Sequence, residues 1–509
     1  MQTAVGSMLN LKRDCMGNVI DRFLAQVSPS TALRREASRM KLQALHDVRR
    51  RHEQGERKYD GAARGRHYSD WHSPNLSVNQ EVQTALETLR SRSRDLGRNN
   101  TYAINAFRSI ANNVVGTGIM PTPAGLRKNQ NAKLKAAWKE WAEGVRCDYD
   151  GTNNFYGLQW LIMRTVAESG ECLVRKVRGT DKDAIPLRLQ VLDGDFINTS
   201  HHTGIWQVDG TMDYYGIRFN RKGERLGYWL YRHHPNEFGV ESEFVTADNI
   251  IHLYEVERPG QIRGVPLSCG AMLRLRDLDD YEFTERIRNK VAAAFSVFIT
   301  DDSADGGSGR QPPPLEKIEP GAIEYLPNGK KVEVAQPPTT QGYGEYVRSN
   351  LRGISAGFGT SYEMLTNDYS NVNFSSGRMG WIEFNRNAER YQWLILIPRL
   401  CAEVYNWFVD AAQLAGFIPM TARPSVTWTP PRRQMIDPHK EMEAIKSQLR
   451  TGVTSWQNVV REFGNVPEEL REELAQDKAM IDELGIMPES DPRFDPNRID
   501  KKPKDSGTN

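Results

Sequence analysis

A very long amphipathic helix is predicted for residues 377–414. Apolar side chains recur there at spacings of three and four residues, the period of one helical face: Trp381, Phe384, Ala388, Tyr391, Leu394, Ile395, Cys401, Val404, Tyr405 and Phe408. At 1.5 Å per residue the helix would be roughly 57 Å long, more than a typical globular domain needs and typical of assemblies. Pro398 lies inside the pattern and predicts a kink.

The stretch just before this helix, residues 368–377, is rich in Asn, Ser and Gly and has turn chemistry without an aliphatic core. Within the helix, charges of opposite sign balance: Arg378, Arg386, Arg390 and Arg399 against Glu383, Glu389, Glu403 and Asp410. The sequence therefore predicts a polar loop that leads into a long helix with a neutral outer face.

Length and charge limit the class of protein. The 509 residues suggest about three domains. With 67 basic and 65 acidic side chains, the formal charge of +2 argues against a protein that binds nucleic acid over its whole surface.

The five cysteines are far apart and lack CxxC spacing, so we expect buried thiols in a reducing cytoplasm and neither disulfides nor zinc. No segment predicts a membrane span or a secretory signal.

The N-terminal part is the most basic. Residues 34–68 carry eleven basic and five acidic side chains, a local balance of +6. We expect an arm that lies on a neighbouring subunit; contact with DNA or with an acidic capsid surface is the alternative. Met16 is a candidate natural start, and residues 19–27 predict a short partner-facing or core-docking helix, with a membrane anchor as the alternative.

Residues 77–265 predict an α+β domain with an antiparallel sheet. Helical periods cover 77–115 as two helices, 132–143 and 155–166. Short β-branched or aromatic runs then predict strands at 172–177, 187–192, 215–219, 226–231 and 250–254. Asn220 to Gly223 has the residues of a hairpin turn.

A second long helix is predicted for about 268–298, with five basic and five acidic side chains between Cys269 and Thr300. A Gly/Ser/Asp linker follows at 301–310. Residues 322–326 and 330–334 flank Pro327, Asn328 and Gly329, a strong hairpin signal. Residues 347–358 return the chain as an antiparallel helix.

Two motifs could carry chemistry. Gly353-Ile-Ser355-Ala-Gly357 matches the nucleophile elbow of hydrolases, but it lies in a helical pattern without a preceding strand, so close helix packing is the favoured interpretation. The pairs His201-His202 and His233-His234 lack carboxylate or Cys partners at ligand spacing and are expected on the surface.

The C-terminal part predicts a strand within 419–431 and helices at 438–450, 455–463 and 468–483, with Thr454 or Ser455 as an N-cap. Residues 488–509 are rich in Pro, Asp and Lys and are expected to be disordered.

Several stretches carry a family resemblance. They are Arg98-Asn-Asn-x-Tyr-Ala103, Ala111-Asn-Asn-Val-Val-Gly-Thr-Gly118, Glu168-Ser-Gly-Glu171, Glu257-Arg-Pro-Gly-Gln-x-Arg-Gly-Val-Pro266, Leu273-Arg-Leu-Arg-Asp-Leu-Asp-Asp-Tyr281 and Asp368-Tyr-Ser-x-Val-Asn-Phe-Ser-Ser-x-Arg378. In this order they resemble the portal (head–tail connector) proteins of tailed bacteriophages, lambda-type branch. The resemblance covers most of residues 16–460.

The resemblance implies an α+β portal fold in a ring oligomer. Its parts would be an N-terminal basic arm (1–73), an α+β wing (74–265), a first stem helix (266–300), a small β-hairpin clip (301–341), a second stem helix (342–366), a tunnel loop (367–376), a long kinked channel helix with a return strand (377–431), a C-terminal helical crown (432–487) and a disordered tail (488–509).

The function implied is that of a ring, twelve-fold in the family, at one capsid vertex of the virion, assembled in the host cytoplasm. Double-stranded DNA would pass through it. The terminase large subunit would dock during packaging and a head–tail adaptor afterwards, with major capsid and scaffold proteins around it. No catalytic residue, metal, cofactor or membrane contact is expected. The alternative is an enzyme, either a serine hydrolase using Ser355 or a nuclease using scattered carboxylates.

Three sets of site residues follow as expectations. The tunnel loop would present Asn371, Asn373, Ser375, Ser376 and Arg378 to DNA. The stem would line the channel with Arg274, Asp277, Asp280, Glu285 and Arg288. The clip would contact terminase and adaptor through Pro327, Asn328, Gly329, Lys330 and Lys331.

Overall fold

The computed structural model describes residues 38, 41–42, 75–180, 183–237, 241–293, 297–301, 330–334, 342–432, 435 and 437–485. The chain divides into two units, Met1–Asn75 and Leu76–Asn509, and the elements below belong to the second. Nearly all of the predicted basic arm, most of the predicted clip and all of the predicted tail lie outside the described residues.

The described fold mixes α-helices with antiparallel sheets. The helices are α1 Val78–Asn99, α2 Thr101–Val115, α3 Lys128–Glu143, α4 Phe155–Ser169, α5 Met272–Ala293, α6 Tyr343–Phe358, α7 Tyr362–Thr366, α8 Phe374–Tyr391, α9 Ala402–Leu414, α10 Pro438–Thr451, α11 Trp456–Glu462 and α12 Pro467–Leu484. The strands are β1 Met120–Ala124, β2 Glu171–Arg178, β3 Leu187–Asp193, β4 Thr211–Tyr214, β5 Ile217–Asn220, β6 Arg225–Tyr231, β7 Ser242–Thr246, β8 Ile250–Tyr254, β9 Val297–Asp301, β10 Lys330–Val334 and β11 Ser425–Thr429. None of these helices has both the length and the apolar character needed to cross a membrane.

The strands of the predicted α+β domain form two antiparallel sheets, in the orders β3-β2-β8 and β4-β5-β6-β7. In the first sheet, Cys172 pairs with Asp193 on one side and Leu253 on the other. The predicted turn joins β5 to β6, where Gly223 donates its N–H to the Asn220 carbonyl at 2.9 Å. Its φ of 81° is one that glycine adopts readily. The antiparallel prediction is confirmed, with two sheets in place of one.

Strand β1 was not predicted, because it contains two prolines. Pro121 lies opposite Trp428 of β11 and Pro123 opposite Val426. Prolines at alternate positions remove N–H groups from one edge only, so the strand can still pair through its other edge. Because β1 has a single neighbour, the missing donors do not interrupt a ladder.

An aromatic cluster fixes the end of the long helix in the core. Trp138 of α3 lies 4.9 Å from Phe408 of α9 and 5.4 Å from Phe155 of α4, measured between ring centroids. Tyr405 of α9 is buried against the same tryptophan at 5.4 Å. Most of the apolar stripe predicted for 377–414 therefore faces the core, with Leu394, which is exposed, as an exception. Helix α9 packs against the helices that precede the first sheet.

The predicted interruption at Pro398 takes the form of a π-helical segment, Gln392–Cys401, between α8 and α9. The wider turn accommodates a residue that lacks the N–H donor. Arg399 then joins this segment to β8 by donating to the carbonyls of Tyr254 at 2.8 Å and His252 at 2.7 Å.

Helices α5 and α6 run antiparallel, as predicted. The ring of Tyr346 lies against that of Tyr281 in a tilted arrangement with centroids 4.6 Å apart, and Gly357 lies beside Ala271 at the other end of the pair. The bounds differ from the prediction: α5 ends at Ala293, and the second stem helix is split into α6 and α7. Side-chain periodicity alone does not mark these ends.

The predicted strand at 330–334 is present as β10, but in the described residues its partner is β9. Val334 pairs with Val297 and Lys331 with Thr300. Residues 297–300, predicted as the end of the first stem helix, are therefore extended. The expected partner strand 322–326 and its turn lie outside the described residues.

Candidate nucleic-acid interface

The predicted tunnel loop is shorter and better anchored than its sequence suggests. Helix α8 begins at Phe374, so the loop is Asn367–Asn373. Asn105 of α2 donates to two carbonyls at the end of α7, at 2.7 and 2.8 Å. The hydroxyl of Tyr362 donates to Asp368 at 3.1 Å.

Two of the predicted DNA-contacting residues cap α8. Asn373 Oδ1 accepts the N–H of Ser376 at 2.8 Å, and Ser376 Oγ accepts the N–H of Asn373 at 3.2 Å. This reciprocal pair is a capping box, which satisfies N–H groups that a helix start otherwise leaves without partners. Asn373 and Ser376 therefore have a structural role that the sequence prediction missed.

The other predicted loop residues, Asn371, Ser375 and Arg378, are exposed. The Asn371 amide lies 3.4 Å from Ser370 Oγ. Hydrogen bonds from Ser370, through its hydroxyl and N–H, lower the pKa of Asp368, which keeps its carboxylate ionised. The exposed surface at this point thus has amide and hydroxyl groups, one negative charge and one positive charge.

The stem candidates fall into two groups. Arg274, Asp277 and Asp280 of α5 are exposed, and Asp280 lies 3.4 Å from Arg276. Glu285 is buried in the described structure and forms an ion pair with Arg288, N to O 2.8 Å. Burial separates Glu285 from the exposed surface of α5, so a channel-lining role for it is not supported in the single subunit.

The clip candidates are only partly described. Lys330 and Lys331 belong to β10, whereas Pro327, Asn328 and Gly329 lie outside the described residues. Their contact with terminase or adaptor remains a prediction.

A buried carboxylate, Glu171, joins two of the sequence motifs. It lies 2.6 Å from Nη2 of Arg90 and 3.0 Å from Nε of Arg263. It also accepts hydrogen bonds from Nε2 of His252 at 3.1 Å and from the N–H of Gly264 at 3.0 Å. We call these five residues the Glu171 hub. Both motifs are visible in the sequence, but no role could be predicted for Glu171, because partners 81 to 93 positions apart leave no local pattern.

The carboxyl group of Glu171, at the centre of the hub, is ionised. Burial alone would raise the pKa of Glu171, but the charge of Arg263, the hydrogen bond from His252 and the charge of Arg90 outweigh it and hold the pKa well below its usual range. Burial lowers the pKa of His252 to about 4, so the ring is neutral and donates through Nε2. The hub fixes the segment before α5 to α1 and β2, and so positions the start of α5.

The described residues show neither the nucleophile elbow of a serine hydrolase nor a cluster of metal ligands for a nuclease. Ser355 lies inside α6, and its hydroxyl donates to the Arg352 carbonyl at 2.9 Å. The strand-to-helix turn of a nucleophile elbow is therefore missing. No group of three or more His, Cys, Asp or Glu side chains in the described part is placed to hold a metal ion.

Comparison with known proteins identifies the family. A sequence model described as "Phage portal protein, lambda family" matches residues 64–392. The probable portal protein of Halomonas phage phiHAP-1 is 26% identical over 428 residues, covering 79% of this chain and 82% of the relative. Portal protein B of Escherichia phage lambda is 22% identical over 466 residues, covering 81% and 87%.

Among solved structures, a chain of the virion of a native gene transfer agent particle superposes with a TM-score of 0.46 at 14% identity, covering 75% of this chain and 94% of that chain. This low score adds nothing to the family assignment, which rests on the sequence match. Because that match spans well over half of the sequence, the chain belongs to the lambda family of phage portal proteins.

Proposed function

We propose that this portal protein assembles into a ring of identical subunits, whose axial opening is the DNA channel at one capsid vertex, with α5 and the loop Asn367–Asn373 facing the DNA. The family match carries the proposal, because residues 64–392 include the antiparallel helices, the loop and all of α8. The exposed, mostly uncharged side chains of the loop and the start of α8, with Asn371 and Ser375 among them, support the direction of the loop.

Low affinity for phosphate suits such a channel. Each phosphate neutralised by a Lys or Arg adds affinity through the release of counterions. One additional basic side chain per subunit is repeated in every subunit of a ring. A basic channel lining would therefore bind the duplex tightly and slow its passage. Helix α5 pairs Arg276 with Asp280 and Glu285 with Arg288, which keeps its charge balanced.

The partners follow from the same proposal. The terminase large subunit docks on the clip, residues 301–341, during packaging, and the head–tail adaptor takes its place afterwards. Major capsid and scaffold proteins surround the ring, which assembles in the host cytoplasm. Strands β9 and β10, which lie between α5 and α6 in the sequence, pair with each other, and this pairing supports a small β domain as the clip.

Negative-stain microscopy of the purified protein tests the ring directly. We expect particles with an axial hole, and a monodisperse monomer at the concentrations of assembly would contradict the proposal.

Deleting residues 312–329, which leaves β9 and β10 in place, should keep the rings and abolish capture of the adaptor in a pull-down. Retained capture would assign the adaptor contact elsewhere.

A further inference from the structure

Two C-terminal helices carry apolar side chains that the described residues leave exposed or only partly buried. Helix α10 has no buried residue, and Met442 is 50% exposed. In α12 every residue from 471 to 480 is exposed, with Met480 at 55% and Leu484 at 62%. Val453, just after α10, is 77% exposed.

These side chains form stripes. On α12, Leu470, Leu474, Ile481 and Leu484 recur at helical spacing on one side, and on α10 the stripe is Met442, Ile445 and Leu449. Isolated helices of this length are marginal in water, since most helical stability in proteins comes from packing of an apolar face. Both helices therefore need a partner.

The start of α12 is fixed to its own subunit. Glu469 pairs with Lys135 of α3 at 2.8 Å, and Val466 and Pro467 are buried. Beyond these contacts the helix leaves the packed part of the described structure.

Charge restricts the partner. Helix α12 has seven acidic and two basic side chains, a net charge of −5, so it repels duplex DNA. Helix α10 has three basic and two acidic side chains, a net charge of +1. Lys446 borders the α10 stripe beside Ile445, and Glu473 borders the α12 stripe beside Leu474. The two helices are thus complementary in charge and alike in having an apolar stripe.

We propose that α10 of one subunit packs against α12 of the next subunit, stripe against stripe. The inference rests on the proposed ring. Two different surfaces that meet head to tail close into a ring when the rotation allows, whereas a self-complementary surface stops at a dimer. The contact lies in residues 438–484, beyond the end of the family match at residue 392.

Cysteine cross-linking tests the pairing. In a background with Cys15→Ser and Cys269→Ser, assembled rings of the double variant Leu449→Cys/Leu474→Cys are treated with a short bismaleimide and separated on a denaturing gel. We expect a ladder that continues beyond the dimer. Rings mixed from the two single variants should give cross-linked dimers, and either single variant alone should give none.

The other outcomes overturn the inference in distinguishable ways. If rings form but their subunits run only as monomers on the denaturing gel, the pairing is refuted and the ring proposal still holds. An internally cross-linked monomer assigns the two stripes to one chain. Dimers from a single-cysteine variant indicate a homotypic contact. The absence of rings under the microscope refutes the proposed function itself.

A matched pair of variants gives a second readout. Leu474→Asp places a charge in the α12 stripe and should raise the concentration at which half of the rings dissociate by about tenfold or more. Gln476→Asp makes the same charge change on the opposite side of the helix and should leave that concentration unchanged. Equal effects of the two variants would contradict a contact through the stripe.

Discussion

At the scale of single residues, we expect a substitution of Glu171 to lower the free energy of unfolding strongly. Glu171→Gln removes the carboxylate that pairs with the buried guanidinium groups of Arg90 and Arg263; Arg90 keeps Asp195 as a partner, whereas Arg263 loses its carboxylate partner. Leaving a buried charge without its partner typically destabilises a protein by about 3–5 kcal/mol. We expect a loss of that size in urea unfolding followed by tryptophan fluorescence. Glu241→Gln, which removes an exposed carboxylate 3.6 Å from Arg232, should change stability by less than about 1 kcal/mol.

Acid should weaken the same hub, and the sign can be worked out. His252 is neutral in the folded state, with a pKa lowered by burial to about 4 from 6.5. It takes up a proton on unfolding between these values, so its contribution is complete above pH 6.5 and is lost as the pH falls toward 4. Glu171, whose folded pKa is depressed, adds a further loss below its ordinary value of 4.5.

We therefore expect the free energy of unfolding to decrease between pH 6.5 and 4, with His252 contributing at most about 3 kcal/mol. His252→Gln keeps a donor for Glu171 but cannot titrate. In urea titrations at three pH values across this window, the variant should show a shallower pH dependence than the wild type. Parallel curves would mean that His252 does not determine the acid sensitivity.

Glycine at position 264 is required by close backbone approach. A Cβ at this position would overlap the carbonyl oxygen of Gly170, and a backbone atom cannot move aside as a flexible side chain can. Gly264→Ala should destabilise the protein by at least about 2 kcal/mol. Gly344→Ala in α6, where no atom apart from the adjacent residues and the helix's own backbone lies within 4 Å of the added carbon, should be neutral or slightly stabilising. Thermal unfolding of both variants measures the difference.

At the scale of elements, the sequence predicted faces better than ends. The three- and four-residue spacing located the buried side of α8 and α9, and Tyr405 and Phe408 lie in the core as expected. The polar side chains of Asn373 and Ser376 suggested a loop, but they form the capping box at the start of α8. Turn formers and helix caps use the same hydrogen-bonding groups, so composition alone does not separate them.

The Glu171 hub was beyond prediction for a different reason. Its charges come from α1, β2 and the segment before α5, and no period links residues that distant in sequence. The stretch around Arg263 contributed to the family resemblance, but nothing in it indicated which residue Arg263 contacts. Long-range polar networks of this kind emerge only when the fold brings their members together.

The capping role changes how the loop should be tested. Asn373→Ala removes the side chain that accepts the Ser376 N–H, and the loss of such a cap costs about 0.5–2 kcal/mol. Asn373→Asp keeps the cap and should leave thermal stability close to that of the wild type. Asn371→Ala should leave stability unchanged while it reduces the length of DNA packaged or retained. If only the cap-breaking variant lowers packaging, the loop acts through its structure and does not touch DNA.

At the scale of the whole molecule, charge balance is the property that a DNA channel constrains most. The chain carries a formal charge of only +2, and the exposed residues Asp277 and Asp280 supply acidic groups on α5. In a ring each of these carboxylates is repeated in every subunit. A small change of charge per subunit therefore becomes a large change in the field along the channel.

Asp277→Lys/Asp280→Lys should consequently slow DNA without preventing assembly. The positions are exposed, and the pair of Asp280 with Arg276 is worth at most about 1 kcal/mol, so rings should form. Each phosphate that a new lysine neutralises should steepen the dependence of log K on log salt by about 0.9, measured by binding of a short duplex to purified rings. Asp150→Lys/Asp248→Lys makes the same charge change at exposed positions outside α5 and should alter the slope much less. Equal slopes for the two double variants would mean that α5 does not face the DNA, whereas a steeper slope confined to the α5 variant, together with less DNA packaged, would locate the duplex beside that helix.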